Sequence, residues 1–160
     1  MSLNEAIIWQ ALEQVMDPEI PTLSVVDLGM IQEVRVNDGT AYVAMTPTFT
    51  GCPAIDMIQD TIRTHVVEAG ASAVVVELRL EPAWNSNRIT PDGQRKLKAF
   101  GLAPPRRYTG EFNITLLEAV PCPWCSSTHT TLESMFGTTL CRTMYFCQTC
   151  RQSFEQFKPV

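Results

Sequence analysis

Histidine is scarce in this chain: His65 and His129 are the only two among 160 residues. A cysteine or serine nucleophile usually needs a histidine base beside it, so a hydrolase constellation is short of a part. Long apolar runs are missing too, and none approaches the roughly 20 residues a membrane-spanning helix needs. The start, Met1-Ser2-Leu3-Asn4-Glu5, lacks the basic region and cleavage site of a signal peptide, so the expected compartment is the cytoplasm, with no membrane partner. Positive charge is in deficit: 12 Lys and Arg stand against 17 Asp and Glu, for a net charge of −5. That argues against a nucleic-acid partner, because such proteins present a basic face. Internal repeats and low-complexity segments are also absent. What remains is an ordinary globular composition, 45 % apolar, long enough for one domain and a small appendage.

Cysteine is well represented, and in a reducing compartment it serves more often as metal ligand or reactive group than as staple. Cys122-Pro123-Trp124-Cys125 and Cys147-Gln148-Thr149-Cys150 form two CxxC knuckles separated by 21 residues. Two thiolates two residues apart hold one ion from a tight turn, and two such turns complete a tetrahedral four-sulfur shell. Disulfides are the alternative. Zinc is the default structural occupant, and iron suits the same shell. From Phe112 onward the acids Glu118, Glu133 and Glu155 balance the bases Arg142, Arg151 and Lys158. A four-thiolate zinc centre would add about −2, which is the wrong sign for a DNA-reading ribbon. The segment is too small for an independent core, so the metal is expected to supply much of its folding energy.

The periodicities predict an α+β protein in the order α-β-β-α-β-α, a small sandwich of helices on a sheet. Leu3, Ala6, Ile7, Ala11, Leu12 and Val15 recur at helical spacing, with Ser2 and Glu5 as a capping box and Asp17-Pro18 as the stop. Two strands, 30–36 and 40–46, meet at Asp38-Gly39, a hairpin signal. Ile55, Ile58, Ile62, Val66 and Ala69 trace a helix that stops at Gly70, and Val74 to Leu80 alternate as a third strand. Thr90 and Pro91 open a short helix that ends before Gly101. The expected division is a domain over 1–102, a linker over 103–112 and a β-rich ribbon module over 113–160, with strand-like pieces at 113–119, 130–136 and 143–146.

Cys52 stands apart from the knuckles, between a strand end and a helix start. With Pro53 at the first helical position, Cys52 falls near the N-cap, where free amides and the helix dipole should lower its pKa. A small buried apolar residue is the plain alternative. His65 lies about 20 Å further along the helix, too far to act as its base. A single thiolate cannot hold an iron–sulfur cluster, which takes four protein ligands. Cys52 would need a second copy across a homodimer, a carboxylate from the Asp17–Glu19 loop, or a partner's cysteines. That shortage describes handover better than storage.

Asp17-Pro18-Glu19-Ile20-Pro21, Val26-Asp27-Leu28-Gly29-Met30 and Thr46-Pro47-Thr48-Phe49-Thr50-Gly51-Cys52-Pro53 resemble the iron–sulfur assembly domain of SufT-like and cytosolic iron–sulfur targeting proteins, over residues 3–101. Glu81-Pro82-Ala83-Trp84, Ile89-Thr90-Pro91-Asp92, Leu102-Ala103-Pro104-Pro105, the knuckles, the 136–142 run Phe-Gly-Thr-Thr-Leu-Cys-Arg and Phe154-Glu155-Gln156-Phe157-Lys158 resemble the phenylacetate-degradation PaaD family nearly end to end. The resemblance implies an accessory subunit of the ring 1,2-phenylacetyl-CoA epoxidase system, not an enzyme. Such a subunit would help mature the complex's metal centres, above all the iron–sulfur cluster of the reductase subunit. It implies that Cys52 is the reactive thiol, Asp17 and Glu19 its acidic loop, and Cys122, Cys125, Cys147 and Cys150 the zinc ligands. The cargo would be iron or a transient iron–sulfur cluster. Two other readings are an adaptor that holds the epoxidase together and a Cys52-dependent thiol enzyme.

The chain departs from the family pattern at Asn85-Ser86-Asn87-Arg88 and at Thr138 and Arg142. Cys141, not needed for a four-sulfur site, packs against the ribbon, substitutes for a ligand or works with Cys52. Five bases and no acid occupy 95–107: a solvated face, or a dock for an acidic partner. Trp84 and Trp124 read as packing.

Overall fold

A computed structural model describes residues 2–160. The chain divides into two compact units at Trp84/Asn85. The first opens with helix α1, Glu5–Leu12. Its cap is Asn4, whose side chain accepts from the Ile7 amide at 3.0 Å, so the expected Ser2–Glu5 box is not what starts it. The helix also stops earlier than the periodicity suggests. The next residues turn out of it to pair with 23–25: Val25 donates to the Val15 carbonyl at 2.9 Å and Asp17 to the Leu23 carbonyl at 2.8 Å.

Strands β1 (Ile31–Asn37) and β2 (Thr40–Met45) pair antiparallel through Asp38-Gly39, with φ of 47° and 78°. Both central residues of such a two-residue turn need positive φ, which is the reason for this dipeptide. Helix α2, Ile55–Glu68, carries the chain across to β3, Ala73–Leu78, which lies parallel to β2. The sheet order is β1-β2-β3. Ala41, Val43 and Met45 of β2 are buried, as are Ile8 and Leu12 of α1 and Ile58, Ile62 and Val66 of α2. In register on the opposite sheet face, Arg35 and Val75 flank Tyr42 while Glu33 and Glu77 flank Ala44. Arg79 joins Glu33 and Glu77 there at 3.1 and 3.0 Å. Trp84 closes the unit, 6 % exposed, with its indole N–H donated to the Leu28 carbonyl at 2.8 Å.

In the second unit α3 spans Pro91–Phe100, with Thr90 accepting from the Gly93 amide and Gly101 at φ 95° ending it. Strand β4, Leu102–Ala103, follows at once and pairs parallel with β7, Ser153–Phe157. With β5 (Thr130–Ser134) and β6 (Arg142–Cys147) this makes a sheet in the order β4-β7-β6-β5. The compact division therefore differs from the one expected at 102. Ala103, expected to open the linker, is buried strand together with Leu102, and α3 goes with the ribbon because its chain leads straight into β4. Arg106 and Arg107 are not a solvated face either: Arg106 donates to the Glu118 and Ala119 carbonyls and Arg107 to that of Ile89. The strand expected over 113–119 is instead a 3-10 turn, Ile114–Leu117. Asn113 caps it, and Ala119 at φ 49° ends any extension. Strand β7 was not foreseen.

Packing in this unit centres on Ala103, Val120, Cys122, Tyr145, Cys147 and Phe154. Tyr145 stacks on Phe154 with centroids 5.4 Å apart and donates its hydroxyl to the Leu117 carbonyl.

Candidate metal centre and thiol site

Both knuckles are built the same way. The Cys122 amide donates to the Ser127 carbonyl and the Ser126 amide returns to Cys122 at 2.8 Å; the Cys147 amide donates to Gln152 and the Arg151 amide returns to Cys147 at 3.0 Å. The fourth residue after each leading cysteine, Ser126 or Arg151, sits at φ 65° or 63°. That left-handed residue turns the chain back, so that the carbonyl after it, of Ser127 or Gln152, meets the amide of the leading cysteine at 2.9 Å. The knuckles are also tied to each other by Ser127 and Thr149, hydroxyl to hydroxyl at 2.7 Å, and by the Gln148 amide on the His129 carbonyl.

All four sulfurs consequently lie within 4.8 Å of one another. Cys122 and Cys150 are 3.7 Å apart and Cys125 and Cys147 3.6 Å. A tetrahedron with metal–sulfur bonds of about 2.3 Å has edges of about 3.8 Å, so the donor set fits one zinc or iron ion. The cysteines are free thiols, which removes the disulfide alternative. The Cys150 amide, donating to the Cys147 sulfur at 3.5 Å, is the main cause that holds Cys147 down at about 6. Burial, with Cys147 beside it, pushes Cys150 up to about 12. A metal ion takes its sulfur ligands as thiolates, so binding at this group releases protons.

Cys141 stands outside this group. It is buried, and its sulfur lies 3.0 Å from the Thr139 hydroxyl. Trp124, by contrast, is 54 % exposed. Its indole edge fills the space that a side chain on Gly101 would need. Sequence reasoning missed this contact and the Arg142–Glu155 pair described below. Only the glycine ending α3 hinted at the first.

Cys52 lies in the 47–53 turn between β2 and α2, half-buried. It is not the cap of α2, whose first residue is Ile55; the Cys52 carbonyl accepts from the Ile55 amide at 3.2 Å. The expectation of a lowered pKa is overturned. Burial pushes the thiol above its ordinary value, the Ala54 amide opposes this, and the charges of Glu19 and then Asp17 add to the rise. The charge of the acidic loop thus reaches the turn that carries the thiol. Asp17 also shapes its own loop, its Oδ1 accepting from the Glu19 and Ile20 amides at 2.8 and 2.9 Å.

The two units match separate families. Residues 5–78 fit a family described as iron-sulfur cluster assembly protein, and residues 111–158 fit the PaaD zinc beta ribbon domain. The chain is 40 % identical over 151 residues to a protein of Escherichia coli K12 named as a putative subunit of 1,2-phenylacetyl-CoA epoxidase; the match covers 94 % of this chain and 90 % of that one. It is 39 % identical over 96 residues to an Fe-S protein maturation auxiliary factor of Porphyromonas gingivalis, covering 59 % of this chain and 90 % of that one. A conserved hypothetical protein from Thermotoga maritima, known by structure, superposes with a TM-score of 0.53 at 31 % identity. That match covers 61 % of this chain and 98 % of that one.

Proposed function

The chain belongs to the PaaD family of phenylacetyl-CoA epoxidase subunits, and we propose that it serves such an epoxidase as a cytoplasmic, non-catalytic maturation factor. Its task is to bring iron or an iron–sulfur cluster to the reductase or oxygenase subunits, the iron–sulfur reductase above all. The observation that carries this reading is the half-buried Cys52 thiol under the charge of Glu19 and Asp17.

At rest those two carboxylates disfavour a further negative charge, so Cys52 keeps its proton. An arriving ferrous ion is attracted by the same carboxylates, and its charge reverses their effect on the sulfur. The thiol then releases its proton to solvent as the metal–sulfur bond forms. One sulfur and two carboxylates fall short of the four protein ligands of a stable cluster, which suits cargo that must leave again.

Cys122, Cys125, Cys147 and Cys150 would hold zinc as a structural ion. That ion folds the ribbon and is not part of the cargo.

The decisive test is co-production of the Cys52→Ala variant with the reductase subunit. The expected outcome is a folded variant and a reductase lacking its cluster. A reductase with full cluster content would overturn the delivery role.

A further inference from the structure

Charge is unevenly divided between the two units. Up to Trp84 there are three bases and twelve acids, a net −9; from Asn85 onward there are nine bases and five acids, a net +4. Two of the bases in the richest stretch, Arg106 and Arg107, are occupied with backbone carbonyls. The other three, Arg95, Lys96 and Lys98, are exposed on α3, whose opposite side buries Gly93 and Leu97. Arg95 shares an ion pair with Asp92 yet stays 75 % exposed. An apolar component adjoins this face. Phe100, in its last turn, is 40 % exposed, and Trp124 of the first knuckle, 54 % exposed, lies over Gly101 at the helix end.

We infer that the basic face of α3, with Phe100 and Trp124 at its end, is a docking surface for an acidic protein partner, the client whose metal centre is being matured. The identity of the client rests on the function proposed above; the surface does not. An aromatic anchor beside a set of charges is the usual make-up of a protein-binding hot spot and its rim. The charge division then orients the encounter. The first unit, at −9, repels an acidic protein and attracts cationic iron, while α3 attracts the protein. Trp124 lies between two zinc ligands, so the metal centre keeps the aromatic end of the surface in place. This gives the ribbon a reason to be attached to an assembly domain.

The test measures binding of the full, zinc-loaded chain to the purified epoxidase reductase subunit, at about 0.05 M and about 0.5 M salt, where the screening length falls from roughly 14 Å to roughly 4 Å. The doubly charge-reversed variant Arg95→Glu, Lys98→Glu changes only exposed side chains. It is expected to bind about tenfold or more weakly at low salt, with the difference shrinking at high salt. Trp124→Ala is expected to lose about tenfold at both salts while zinc content stays unchanged. Equal binding by wild type and the charge-reversed variant would overturn the surface. So would wild-type binding of duplex DNA as strong as that of the reductase, or sedimentation showing that the charge reversal abolishes only self-association. Cys52→Ala is expected to dock normally. If it docks and still matures the client, delivery fails and docking stands; if the charge-reversed variant docks normally and Cys52→Ala fails to mature the client, the reverse holds.

Discussion

Arg142 and Glu155 meet at 3.0 Å between neighbouring strands β6 and β7, with side chains only 12 % and 14 % exposed. Glu155 also accepts from the amide and hydroxyl of Thr138, so one carboxylate secures the loop between β5 and β6. Removing one partner leaves the other charged and buried. Arg142→Ala should therefore destabilise the ribbon unit by about 3 kcal/mol, measured by denaturant titration of the zinc-loaded protein. A loss under about 1 kcal/mol would show that the pair contributes little.

The same carboxylate predicts an acid dependence. Burial works against its charge, but the Thr138 amide, the Arg142 guanidinium and the Thr138 hydroxyl together hold its pKa below the ordinary value. A group with a depressed folded-state pKa contributes stability above its unfolded pKa, and that contribution disappears as pH falls through the folded value. Stability of the unit should thus fall more steeply below about pH 4 in the wild type than in Glu155→Gln. Parallel pH profiles for the two proteins would refute the assignment.

Chelation, or Cys125→Ser, should unfold the ribbon while leaving the first unit intact, because the four-sulfur group lies wholly within the second. The readouts are about one zinc or iron per wild-type chain by elemental analysis and loss of the tyrosine near-ultraviolet dichroism in the variant. A metal-free, well-folded Cys125→Ser protein would remove the structural role. An absorption spectrum decides the metal, since zinc thiolates are colourless and iron thiolates are not.

Cys52 should alkylate slowly at neutral pH, because its raised pKa leaves little thiolate. Glu19→Gln removes the larger of the two carboxylate effects and should speed alkylation severalfold while weakening ferrous-ion binding. If Glu19→Gln left both unchanged, the acidic loop would have no hold on the thiol.

Trp84→Phe keeps the aromatic bulk but leaves the buried Leu28 carbonyl without its 2.8 Å donor. The expected cost to the first unit is about 1–3 kcal/mol, seen as a lower midpoint in urea.

Much of this was legible in the residues themselves. Asp38-Gly39 specified the hairpin because few other residue pairs tolerate its φ angles, and Thr90-Pro91 specified the start of α3 through an oxygen and a ring placed where a helix begins. The limits of α1 were not legible. Its apolar spacing continues to Val15, but the backbone there bonds to residues 23–25, a partner that periodicity cannot reveal. The division of the chain was hidden for the same reason, since Leu102 and Ala103 become strand only by pairing with β7.

The sequence by itself determined which four cysteines come together, since two paired thiols at that separation leave few other arrangements, and it determined the order of helices and strands in the first unit. Tertiary structure alone decided the direction in which the Cys52 pKa moves. Position near a helix start argued for a thiolate, but desolvation and two carboxylates brought from 35 residues away or less outweigh the one amide that supports it. Local chemistry sets which groups are present; only the fold sets the dielectric and the neighbours that govern their charge.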